Sequence, residues 1–301
     1  MTLKKLIEIN GLSMQQAAQR LGVDKSQVIK VCNHTYTNWE SKEPQFIQTL
    51  IASGCHEDII THGIEIDTNI LVLTKSVRYF QALADDLSDP ASTMSSSIGM
   101  VIGTAERGKT HSAKWYCEQN SDARYVLFID GSSRVQLLRD VCEAVANTRP
   151  YSFNHCIQTL VETCRYNRHL VIIDEADKLP VPFLEMIRGV NEKCSLPFLL
   201  VGEEELKHKT DRVARLRSRI RQPIVVFDKA SSLDVAAYYH EAAGIDITQE
   251  QAQRLVEHAK FGFRSIVNDS IAISKMARAS GLSEITPQML RQLCHREGLK
   301  L

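Results

Sequence analysis

Five short apolar runs mark the middle of the chain: residues 98–102 (IGMVI), 124–129 (RYVLFI), 170–173 (LVII), 196–201 (LPFLLV) and 223–227 (PIVVF). Longer amphipathic stretches lie between them. Alternation of this kind predicts strands of a parallel sheet covered by helices, an α/β fold. Ahead of the first run, residues 1 to about 60 read as short helices, and 54–73 show no sustained periodicity. A helical stretch from Lys75 (KSVRYFQALADDL) then leads into a small, polar loop at 88–97 (SDPASTMSSS). Beyond about 229 the pattern is helical, with breaks at Gly244, Gly262, Gly281 and Pro287. The predicted organisation is a helix-turn-helix domain over 1–60, a linker over 61–74, an α/β nucleotide-binding domain over 75–228 and a helical lid over 229–301.

Residues 103–110 (GTAERGKT) follow a predicted strand and precede a predicted helix, KTHSAKWYCEQ. They fit the phosphate-loop pattern G-x-x-x-x-G-K-[ST] in the setting that the pattern requires. Its glycines let the backbone wrap phosphates, and the following helix aims free N–H groups at them. The expected nucleotide-binding residues are Gly103, Thr104, Ala105, Glu106, Arg107, Gly108, Lys109, Thr110 and His111. Lys109 is expected to reach the β and γ phosphates of ATP, and Thr110 to hold Mg²⁺. The charged pair Glu106-Arg107 sits where side chains point outward. It is expected to face a neighbouring subunit, or to pair with itself in solvent.

A second motif strengthens the first. LVIIDEAD (170–177) is a buried strand whose acids emerge at its carboxyl end, where parallel sheets bind ligands. Asp174 is expected to hold Mg²⁺ through water and Glu175 to polarise the attacking water. The letters DEAD do not make the chain an RNA helicase, since it is too short for two helicase lobes.

KHKTDRVARLRSRIRQ (207–222) carries seven Lys and Arg residues against one acid. It reads as a solvated helix face, as a contact for phosphate backbone, or as the source of an arginine finger reaching a neighbour's γ phosphate. Arg215 and Arg219, four apart, are expected to share a helix face and to supply that finger, with Arg219 preferred.

Near the N-terminus, MQQAAQRLGVDKSQVIKVCN (14–33) has helix-turn-helix spacing. Gly22 marks the turn. Ala17, Ala18, Leu21, Val23, Val28 and Val31 supply apolar contacts, and Asp24 is expected to cap the second helix. Lys25, Ser26, Gln27, Lys30 and Asn33 face outward, able to bond phosphates or base edges. A hairpin used for protein contacts is the other reading.

Bulk properties add little. Lys and Arg balance Asp and Glu at 36 each, so net charge says nothing about nucleic acid. Eight cysteines without a C-x-x-C pair give no zinc or dithiol signature and fit a reducing compartment. No stretch approaches the roughly 20 apolar residues of a membrane span. A cytoplasmic location and no membrane partner are expected.

The order of helix-turn-helix, GTAERGKT, LVIIDEAD and ARLRSRI resembles the phage Mu B-type transposition proteins, AAA+ target-selector ATPases of transposons. The resemblance implies a P-loop AAA+ fold, ATP and Mg²⁺ as ligands, and a bacterial or phage-infected host. It implies a homo-oligomer that forms helical filaments on double-stranded DNA and delivers that DNA to a DDE transposase. Two positions depart from the family. Glu203 stands where relatives place a polar γ-phosphate sensor. In the lid stretch KFGFRSIVNDS (260–270), Ser265 holds the usual arginine's place and Arg264 lies one residue earlier. Other functions consistent with this reading are an AAA+ ATPase with another client, a helicase loader or a secretion-associated ATPase, and an ATP-switched transcription regulator.

Overall fold

The computed structural model describes residues 2–55, 64–89, 91 and 97–296. Parts of three expected segments lie outside these: 56–63 of the aperiodic stretch, 90 and 92–96 of the polar loop, and 297–301 of the lid. The described residues form two compact units. The smaller holds the N-terminal helices with residues 278–283, and the larger holds the rest.

The smaller unit contains α1 (Leu3–Ile9), α2 (Met14–Leu21), α3 (Lys25–Cys32) and α4 (Trp39–Ala52). Ser13 and Gln16 bond each other's backbone in a capping box that starts α2. Gly22 ends that helix at φ +65°, a left-handed turn that glycine adopts without steric cost. Ala17 and Ala18 are buried with Val28, Val31, Phe46 and Leu50, while Leu21 and Val23 pack at the margin. The expected cap of α3 is absent. Asp24 occupies the cap position, but its side chain makes no capping bond.

The larger unit begins with α5 (Lys75–Ser88), β1 (Ile98–Ile102), α6 (Lys109–Gln119), β2 (Ala123–Leu127), α7 (Arg134–Ala146), α8 (Phe153–Cys164) and β3 (Leu170–Asp174). A 3₁₀ turn at Ala176–Lys178 leads to α9 (Val181–Cys194), β4 (Phe198–Gly202), α10 (Glu204–Asp211), α11 (Ala214–Arg217) and β5 (Val225–Val226). The segment expected to act as a lid comprises α12 (Ser232–Ala243), α13 (Gln249–His258), α14 (Phe263–Ser280) and α15 (Pro287–Arg296). Among the described residues no helix is long and apolar enough to cross a membrane.

The five strands pair in parallel in the order β2-β3-β4-β1-β5. β1, β3 and β4 are buried at every position, as expected of strands covered on both faces. Alternate residues divide between the two faces. Val171, Ile173, Phe198 and Leu200 join a core with α7, α8 and α9. Leu170, Ile172, Leu199 and Val201 join one with α5 and α6. The expected fifth strand, 223–227, contracts to Val225–Val226, the two residues in register with β1, and Phe227 N donates to Ile102 O at 2.8 Å just beyond them.

A third core fills the lid around Tyr238, Tyr239, Ile266 and Ile273. Ile64 and Val72, from the stretch read as a linker, are buried in it. Asp67 N donates to Ala242 O at 2.8 Å, and Ser274 Oγ donates to Ile64 O at 2.5 Å. Residues 64–72 therefore belong structurally to the lid.

At Gly99 in β1 a Cβ would lie 2.6 Å from Leu87 Cδ1 and 2.8 Å from Leu199 Cδ1. The absent side chain lets α5 rest directly on the strand. Gly99→Val is expected to overpack this contact and destabilise the larger unit by about 2 kcal/mol, read as a lowered urea midpoint.

Candidate functional site

The carboxyl ends of β1, β3 and β4 open into a cleft of about 510 Å³. Its walls bring together the loop after β1, the acids after β3, the end of β4 and the first turns of α14. The volume falls in the range of small-molecule pockets. Because β4 lies between β1 and β3, Glu203 falls between the phosphate loop and Asp174-Glu175.

Lys109 is the first residue of α6, after Gly108 at φ +91°. Its Nζ is buried and donates to the carbonyls of Gly103 (2.6 Å) and Thr104 (2.8 Å). Burial pushes the ammonium's pKa down, and the charges of Glu203, Asp174, Asp177 and Glu175 oppose that shift. Gly103 is confined as well. A Cβ there would meet Phe227 O at 2.8 Å, so the loop lies against the backbone leaving β5. Ala105, Glu106, Arg107, Gly108, Thr110 and His111 line the cleft beside Lys109.

Asp174 is almost fully buried, with both carboxylate oxygens engaged. Oδ1 accepts from Glu175 N at 2.9 Å, and Oδ2 accepts from Tyr125 Oη at 2.8 Å. Burial raises the Tyr125 pKa, and so does the neighbouring Asp174 charge. The phenol therefore stays a donor across the working pH range. Glu175 has φ +59°, and its carboxylate is paired with Lys178 Nζ at 2.8 Å.

Glu203 is exposed. Its backbone N donates to Asp177 Oδ1 at 3.1 Å, which ties the end of β4 to the turn after β3. Gly202 permits that approach, since a Cβ there would sit 2.7 Å from Asp177 N. From the lid, Phe263, Arg264, Val267 and Asn268 line the cleft, and Arg264 is exposed.

Within the chain, Glu106 and Arg107 do not bond each other. Glu106 Oε2 accepts from Ser265 Oγ at 3.2 Å, and Arg107 Nη1 donates to Phe261 O, so both reach the lid of their own chain.

Nor do Arg215 and Arg219 share a helix face. α11 ends at Arg217, which leaves Arg219 beyond it. Each is held by an acid of α9: Arg215 Nε by Glu185 (2.6 Å) and Arg219 Nη2 by Glu192 (3.0 Å). Arg188, between these acids on the helix, bridges both. The basic run thus divides in three. Arg215 and Arg219 end this ladder. Lys209 bonds the carbonyls of Asp177 and Leu179, and Arg221 is buried against Asp86. Lys207, Arg212 and Arg217 are exposed.

Four of the expected DNA-facing residues, Lys25, Ser26, Lys30 and Asn33, are exposed on the smaller unit. The fifth, Gln27, is half-buried and donates to Tyr36 Oη at 2.7 Å.

Sequence reasoning missed Thr68, Asn69, Lys114, Asp177, Phe263, Val267 and Asn268, all of which line the cleft. Asp177 had a visible signal as the last acid of DEAD. Thr68 and Asn69 lie in a stretch without periodicity. Tyr125 reads as an ordinary strand residue, and only strand order reveals its partner.

This arrangement defines a P-loop ATPase, and residues 92–210 match the family model for the AAA domain, so the chain carries an AAA-type ATPase domain. Its sequence is similar to the ATP-dependent target DNA activator B of Escherichia phage Mu, 26% identical over 210 residues. The match covers 66% of this chain and 66% of the relative, just under two thirds of the latter's length. Among solved structures, the fold is similar to Cdc6p from Pyrobaculum aerophilum (TM-score 0.60, 14% identity, 79% of this chain and 72% of that one). It is also similar to the Aeropyrum pernix ORC2 protein in its ADPNP-ADP complexes (TM-score 0.58, 15% identity, 76% and 70%).

Tyr125→Phe removes the donor to Asp174 without changing ring volume. It is expected to lower ATP turnover about tenfold and, by leaving a buried carboxylate oxygen unpaired, to lower the melting temperature of the unliganded protein by a few degrees, checked by phosphate release and thermal unfolding.

Proposed function

We propose that the chain is an ATP-dependent, sequence-tolerant DNA-binding protein that oligomerises on target DNA, presents that DNA to a transposase and disassembles on ATP hydrolysis. The observation that carries this reading is the single cleft shared by Lys109, Asp174-Glu175 and the lid, in a chain similar to a protein named as an ATP-dependent target DNA activator.

The residues fit a nucleotide. A buried ammonium held by loop carbonyls lies beside the first turn of α6, whose N–H groups and positive dipole end favour phosphate. They also fit Mg²⁺. Among the described residues no three His, Cys, Asp or Glu side chains converge as a metal cage. Mg²⁺ commonly binds through one or two protein groups, water and substrate phosphates, and Thr110 and Asp174 would be those groups. When bound, Mg²⁺ neutralises charge developing on the phosphates.

In this reading Lys109 binds the β and γ phosphates, and Tyr125 orients Asp174. Glu175 leaves Lys178 to accept a proton from the attacking water, and Glu203 helps to align that water. Arg264, exposed in the cleft wall, serves as the lid's phosphate contact in place of Ser265. Arg219 or Arg215 reaches a neighbour's nucleotide once its α9 acid releases it. Lys25, Ser26, Gln27, Lys30 and Asn33 meet DNA, mostly through phosphates.

Glu175→Gln is expected to retain ATP and DNA binding but lose turnover by at least about 10²-fold, leaving long-lived assemblies on DNA visible by electron microscopy. Turnover at the parent rate would remove Glu175 from this role. DNA affinity is expected to rise with ATP and to fall steeply with salt. Lys25→Ala and Lys30→Ala should each reduce the salt slope by about one and weaken unrelated DNA sequences equally. DNA affinity that ignores ATP would overturn the proposal.

A further inference from the structure

We propose that Glu106 and Arg107 form a clasp by which the phosphate loop holds the lid, so that nucleotide bound to the loop sets where the lid stands. The inference rests on the ATP-site reading above.

These two residues occupy positions of the loop pattern whose side chains are not needed for phosphate. Glu106 has φ +65°, a left-handed conformation that is costly for a residue with a Cβ. Its carbonyl accepts from Phe263 N at 2.7 Å, at the first residue of α14. Its carboxylate accepts from Ser265 Oγ at 3.2 Å, placing a negative charge at the positive end of an eighteen-residue helix. The fit is close. A Cβ on Gly262 would lie 2.8 Å from Glu106 Oε2, so the missing side chain gives the carboxylate its place.

Arg107 completes the connection. Its Nε donates to Thr104 Oγ1 at 2.9 Å within the loop, and its Nη1 donates to Phe261 O in the turn before α14. That turn is itself constrained, with Lys260 at φ +50° and Phe261 at φ +61°. The bonded lid groups at 261, 263 and 265 bracket Phe263 and Arg264, which line the cleft. A phosphate loop that tightens around a nucleotide must therefore carry these two residues with it. Glu106 and Arg107 are positioning residues, acting through the lid.

The experiment measures amide hydrogen exchange over 261–268 in the full chain, with and without a non-hydrolysable ATP analogue and Mg²⁺, together with analogue affinity. Two variants break the clasp from opposite sides. Arg107→Ala removes the loop's donor. Gly262→Ala leaves the loop sequence intact and displaces only the flexible end of Glu106. In the parent, the analogue is expected to slow exchange at these amides about tenfold. In both variants the slowing is expected to shrink below about twofold, with analogue binding weakened about tenfold. Full nucleotide-dependent slowing in both variants would overturn the clasp while leaving the ATP site standing. Failure of the parent to bind the analogue would overturn the ATP reading and the clasp with it.

Discussion

Taking the Lys109 ammonium out of water costs several kcal/mol unless partners replace the lost solvation. Two loop carbonyls supply those partners directly, and the charges of four nearby acids also favour the ammonium. Much of the larger unit serves to bring them there. The parallel sheet places the loop and the acids at the same edge, and the insertion of β4 between β1 and β3 sets their separation. Asp177 then fixes the end of β4 through Glu203 N, and Lys209 fixes the turn that carries Asp177. Moving any of these elements would leave a buried charge without its counterparts.

Elements whose burial is repetitive were legible in the sequence. An apolar run predicts β1 at 98–102 and the glycines of the loop mark the helix at 109–119, where both are found. The acids after β3 were equally plain. Side-chain partnerships across the fold were not. Nothing local in RYVLFI says that Tyr125 bonds Asp174, since that depends on β2 pairing with β3. Nothing in ARLRSRI says that α11 stops after four residues or that α9 presents Glu185 and Glu192 opposite the arginines. The four-residue spacing of Arg215 and Arg219 implied a shared face only for a continuous helix.

The phosphate loop and the arginine ladder use charge differently. Along the ladder Arg215, Glu185, Arg188, Glu192 and Arg219 alternate in sign near solvent, where each pair contributes little to stability. Its effect is geometric: it holds two cations on one side of α9. In the loop, Glu106 and Arg107 are each bonded to backbone or hydroxyl groups of another element, which fixes direction as well as distance.

Gly202 carries a consequence for how such a site changes over time. The obstacle to a side chain there includes the backbone nitrogen of Asp177, so no exchange at position 177 would make room for one. Position 202 is closed to drift whatever its neighbours become. Position 203, immediately after it, is exposed and open to replacement. Variation in this corner of the cleft is thereby channelled into one residue, and an acid at 203 can arise there without disturbing the frame that presents it.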